Sequence, residues 1–74
     1  MNITVSCHAG HRSEETPRSF RIHDREIVIS EVLDRWLSPD HRYFKVRGND
    51  TDVYILRHDP NAGKWELVFY TGIR

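Results

Sequence analysis

Arg42-Tyr43-Phe44-Lys45-Val46-Arg47, Gly48-Asn49-Asp50-Thr51 and Asp52-Val53-Tyr54-Ile55-Leu56-Arg57 form the stretch that decides the fold. Two runs rich in aromatic and β-branched residues flank a turn signal, the pattern of a β-hairpin. Pairing Arg47 with Asp52 sets Val46 opposite Val53 and Phe44 opposite Ile55. Those four then share one face, and Tyr43, Lys45, Tyr54 and Leu56 share the other. A slip of one residue would exchange the faces of one strand, so the apolar pattern favours this register.

A second hairpin follows. Asp59-Pro60-Asn61-Ala62-Gly63 is strong turn chemistry. A five-residue loop closing His58 against Lys64 would set Arg57 opposite Trp65, Ile55 opposite Leu67 and Val53 opposite Phe69. Arg57 would then lie over the Trp65 ring as a cation–π pair. The expected core is Phe44, Val46, Val53, Ile55, Trp65, Leu67 and Phe69. Upstream elements add Ile3, Val5, Phe20, Ile22, Ile27, Ile29, Val32 and Trp36.

Ile3, Val5 and Cys7 alternate with polar residues and predict a first strand. His11–Thr16 reads as a loop, and Phe20 and Ile22 as a short second strand with a turn at His23–Glu26. Glu26–Leu37 carries two patterns. Ile29, Val32, Leu33, Trp36 and Leu37 fit a helical stripe, whereas Ile27-Val28-Ile29 is strand material. The preferred reading is a strand that bends by a bulge near Ser30–Glu31. Ser38-Pro39-Asp40-His41 is a turn. The expected fold is therefore all-β, an antiparallel meander of five to six strands forming a bent sheet or SH3-like barrel. The alternative is α+β, with one short helix within residues 30–37.

The 74 residues make a single domain, 1–74, close to the lower limit for independent folding. Stability of about 3–5 kcal/mol is the expectation for such a chain. Eleven basic and eleven acidic residues cancel, so there is no overall field drawing the chain to DNA or anionic membranes. One cysteine rules out an internal disulfide and fits a reducing compartment. With no secretory signal pattern and no membrane-length apolar run, the expected location is cytoplasmic.

Cys7, His8 and His11 carry zinc-type donors, but no second ligand pair accompanies them, and alternation points Cys7 toward the core. A thiol–imidazole nucleophile would also need a cleft and an orienting group. Phosphate-loop, nucleophile-elbow and metalloprotease patterns are absent. The expectation is a non-enzymatic protein without metal or cofactor. The face holding Tyr43, Lys45, Arg47, Tyr54, Leu56 and Tyr70 is the candidate binding surface. Its aromatic content suits a protein partner or self-association. Tyrosines beside Lys45, Arg47 and Arg42 also suit single-stranded nucleic acid. A covering strand would instead turn this face into a second core layer.

The segments Glu14–Phe20, Val32–Trp36, Asp40–Arg47, Tyr54–Asp59 and Trp65-Glu66-Leu67 resemble a family of short, stand-alone bacterial proteins, a conserved domain of unknown function. The resemblance spans nearly the whole chain and implies no assigned activity. Relatives often carry aromatic residues where His8 and His11 stand, which weighs against zinc. The chain is also distantly similar to small domains encoded near bacterial error-prone DNA polymerase genes, an association with DNA metabolism.

Overall fold

The structure is a computed structural model that describes residues 1–7 and 16–71. Six strands follow in order: β1 (Asn2–Cys7), β2 (Pro17–Ile22), β3 (Arg25–Leu37), β4 (Arg42–Gly48), β5 (Val53–Asp59) and β6 (Lys64–Thr71). Each pairs antiparallel with the next, and β6 returns to β1 to close a small all-β barrel. Of the loop expected over His11–Thr16, all but Thr16 lies outside the described residues.

The long β3 serves two neighbours. Residues 25–28 pair with β2, and residues 29–37 pair with β4. Two irregularities, at Ile29/Glu31 and Val32/Asp34, bend it between these tasks. The Ser30 hydroxyl bridges the first by donating to the Arg47 carbonyl at 3.1 Å. The bulge expected at Ser30–Glu31 is thus present. The alternative helix within residues 30–37 is not, because that segment is strand throughout. Each bulge inserts a residue into the alternation, so Ile29 and Val32 both lean on the core at a spacing of three that mimics a helical stripe.

The β4–β5 turn sets the register, and it differs from the sequence expectation. The Gly48 N–H donates to the Asp52 carbonyl at 2.9 Å, and the Thr51 N–H donates to the Gly48 carbonyl at 2.9 Å. The loop is therefore Asn49-Asp50-Thr51, with Thr51 at φ 70°. Arg47 pairs with Val53, Val46 with Tyr54 and Phe44 with Leu56, one residue away from the apolar-pattern register. Tyr54 and Leu56 consequently point inward, at 1% and 0% exposure, and Ile55 turns outward.

The β5–β6 hairpin shifts in the same sense. Asp59 pairs with Lys64 across a four-residue loop, 60–63. Asp59 Oδ1 accepts from the Asn61 and Ala62 N–H groups at 3.0 and 3.2 Å, and Gly63 takes φ 66°. Trp65 therefore faces His58 rather than Arg57, with ring centroids 4.2 Å apart and 12° between planes. The expected Arg57–Trp65 contact is replaced by an ion pair between Arg57 and Glu66. An extra residue at Val68 then realigns Ile55 with Phe69 and Tyr54 with Tyr70.

The core consists of Phe20, Ile27, Phe44, Val46, Tyr54, Leu56 and Trp65, with Ile3, Val5, Cys7, Ile22, Ile29, Val32 and Leu67 packed around it. Of the residues assigned to the core from sequence, Ile55 is half-buried on the outside, and Trp36 and Phe69 are exposed. Phe20 meets Tyr54 edge-on, with centroids 4.9 Å apart and 74° between planes.

Two substitutions test the turn. A Cβ at Gly48 would stand 2.6 Å from Ile27 Cγ2 and 2.6 Å from Asp50 Oδ1. Gly48→Ala is expected to lower unfolding free energy by about 1–3 kcal/mol in urea denaturation, as overpacking does. Thr51 holds a left-handed conformation that is costly for a β-branched residue. Thr51→Gly is expected to raise stability by about 1 kcal/mol, seen as a higher denaturation midpoint at unchanged slope.

Candidate binding face

The outward side of β3–β6 is laid out in cross-strand rows. The first runs Trp36, Tyr43, Arg57, Glu66 from strand to strand. Directly opposed side chains on one face of a sheet touch, and these do. The Trp36 and Tyr43 rings stack at 5.3 Å between centroids and 4° between planes. Arg57 Nε donates to Glu66 Oε1 at 2.9 Å, and its Nη2 donates to the same oxygen. Glu66, and after it the Tyr43 hydroxyl, raise the Arg57 pKa above its ordinary value. In return Arg57 holds the Glu66 carboxyl below the usual carboxylate range.

The second row sets Asp34 beside Lys45, then Ile55 and Phe69. The third sets Glu31 beside Arg47, then Val53 and Thr71, with Arg47 Nη1 donating to Glu31 Oε1 at 3.2 Å. Exposed pairs of this kind add little stability, but they cancel charge locally. The face therefore offers aromatic and apolar surface between ion pairs. Trp36 is 40% exposed and Phe69 51%.

The residues singled out from sequence divide between two sides of the wall. Tyr43, Lys45 and Arg47 lie outside, as expected. Tyr54 and Leu56 lie in the core, because the three-residue turn moves β5 by one position. Tyr70 pairs with Tyr54 at one mouth of the barrel, where the rings stack at 4.9 Å, and its edge stays open. Trp36 and Phe69, which the sequence pattern places in the core, are surface residues, turned outward by the bulges in β3 and β6.

At the same mouth two carboxylates bind the tyrosines. Asp50 Oδ2 accepts from the Tyr54 hydroxyl at 2.6 Å and from Arg25 Nη2 at 3.3 Å. Asp52 Oδ2 accepts from the Tyr70 hydroxyl at 2.7 Å. Burial, and then the Asp50 carboxylate, push the Tyr54 pKa well above its ordinary value. Among the described residues, no cluster of three or more His, Cys, Asp or Glu side chains is placed to hold a metal. Cys7 is half-buried, and His8 and His11 lie outside the described residues.

No family model matches the sequence, no curated protein is significantly similar to it, and no solved structure matches it.

The Tyr54 shift makes an alkaline prediction. A tyrosine pKa raised by folding stabilises the native state below its unfolded value of 10.0, and that contribution is lost as pH climbs beyond it. The unfolded chain then ionises while the native one resists. Tyr54→Phe is expected to cost about 1–3 kcal/mol at neutral pH, through the lost bond to Asp50. It should also flatten the fall of stability above pH 10, read by urea denaturation at stepped pH.

Proposed function

We propose that this chain is a non-enzymatic protein-binding module that docks a cytoplasmic partner on the outward face of β3–β6, centred on Trp36 and Tyr43. The observation that carries this reading is the exposed Trp36 ring stacked on the half-buried Tyr43, beside arginines that carboxylates already neutralise. Aromatic anchors ringed by satisfied polar groups are the usual form of a protein hot spot. Lys45 lies one row from the pair and Arg47 two rows, and both would set orientation rather than supply the affinity. Phosphate recognition needs cations free to meet phosphates, and here Glu31 and Glu66 hold Arg47 and Arg57.

The test is site-specific photo-cross-linking in cells, with the cross-linker at Lys45 and a control at Asp24. A discrete protein adduct from position 45 alone, lost in Trp36→Ala, is the expected result. Once the partner is isolated, Trp36→Ala should weaken binding by roughly thirtyfold or more, the scale of a hot-spot tryptophan. Binding of a single-stranded oligonucleotide that weakens steeply between about 50 and 200 mM salt would replace this reading with the nucleic-acid one.

A further inference from the structure

The outward face of β3 and β4 carries its charges in two stripes. Glu31 and Asp34 stand on β3, and Lys45 and Arg47 stand beside them on β4. Each cross-strand row sets an acid against a base, Glu31 against Arg47 and Asp34 against Lys45. The next row sets Trp36 against Tyr43, with the two rings stacked. Asp34, Lys45 and Trp36 are exposed, and the Arg47 and Glu31 side chains are open to solvent over 42% and 60% of their surface.

The two charged rows are not equivalent. Arg47 Nη1 donates to Glu31 Oε1 at 3.2 Å. Asp34 Oδ1 instead accepts from the Arg35 N–H at 2.8 Å, and among the described residues Lys45 makes no ion pair. The second bulge of β3 falls between Val32 and Asp34, where the carboxylate turns to its own backbone and not to the ammonium across the strand. Lys45 thus presents an unmatched charge one row from an exposed tryptophan.

We infer that this face, read above as a protein-docking surface, takes a second copy of the chain, the two barrels meeting about a twofold axis that runs along the strands between β3 and β4, an inference that rests on that reading. A twofold contact sets one patch against itself, so the patch must be its own complement. The striped face meets that condition. Rotation about such an axis lays β3 of one copy over β4 of the other and keeps each row at its own level. Asp34 then meets the second copy's Lys45, Glu31 the second copy's Arg47, and Trp36 the second copy's Tyr43, each contact occurring twice. Neighbouring strands lie about 4.8 Å apart, close enough for both stripes to sit under one contact on a curved wall. A partner surface of one sign would match one stripe and oppose the other, whereas a second copy matches both. The net charge of +0 leaves no overall repulsion between copies. A contact two strands wide is small, so association in the micromolar range is expected.

Sedimentation velocity from about 1 to 500 μM resolves association of that strength. The wild-type chain should pass from monomer to dimer, and raising salt from about 50 to 500 mM should weaken the dimer. Lys45→Glu and Asp34→Lys should each raise the dissociation constant by roughly tenfold or more, with the far-UV spectrum unchanged. Mixed in equal amounts, the two variants should recover a dimer, because each offers the other an opposite charge at both contacts. Trp36→Ala should also weaken the dimer, and Arg21→Glu on β2 should not. A chain that stays monomeric throughout overturns the inference. So does a dimer indifferent to Lys45→Glu and Asp34→Lys, or one that mixing fails to restore. A monomer whose position-45 cross-linker still captures a different protein overturns the second copy as occupant and leaves the docking face standing. A monomer with no adduct removes both. Should either variant prove unfolded, Lys45→Gln and Asp34→Asn replace them, each expected to weaken the dimer roughly threefold, and no change in either overturns the inference.

Discussion

Everything on the β4–β5–β6 wall depends on how the chain reverses between Gly48 and Asp52. Thr51 in the left-handed region allows Gly48 and Asp52 to close a loop of three residues, 49–51. Gly48 has no Cβ, so Ile27, Asp50 and Tyr54 approach its backbone closely. Those local facts decide which side of β5 faces inward. Once Tyr54 and Leu56 are inside, Phe20 has an aromatic edge to meet, and His58 falls over Trp65. Arg57, on the alternate side, then finds Glu66.

Burying a tyrosine in place of an isoleucine requires a partner for its hydroxyl, since an unsatisfied buried polar group is costly. The same turn supplies it. Asp50 accepts from Tyr54 and from the next N–H but one, on Asp52, while Asp52 accepts from Tyr70. The aspartates thus tie the turn to the two strands it orders. Turn propensity alone explains why an aspartate stands at these positions, but not why Asp52 is almost fully buried.

An antiparallel meander of five to six strands and the bend in β3 were legible in the sequence, because alternation and turn residues mark them strongly. The register was not. Ile55 is a better core residue than Tyr54 by hydrophobicity, so an apolar pattern prefers it inside, whereas Val53 is buried in either register. The turn geometry and the carboxylate partners outweigh that preference. A β-branched residue at positive φ, as at Thr51, is rare enough that sequence reasoning discounts it. The error then passed along β5 to the next hairpin and divided the candidate site. Tyr43, Lys45 and Arg47 were placed correctly because β4 itself did not move. Trp36 and Phe69 follow bulges, where counting by twos fails.

The seam between β1 and β6 has a kinetic meaning. Every other seam joins strands adjacent in the chain, across loops such as the four residues 60–63. This one joins Met1 to Leu67, 66 positions apart. Loop-closure entropy for such a span exceeds that of a short hairpin by about 2 kcal/mol. The barrel's smallest area of pairing is therefore also the one that costs the most chain freedom to make. Contacts of that kind form late and open early, so the cylinder is a meander that zips from its hairpins and latches at the end.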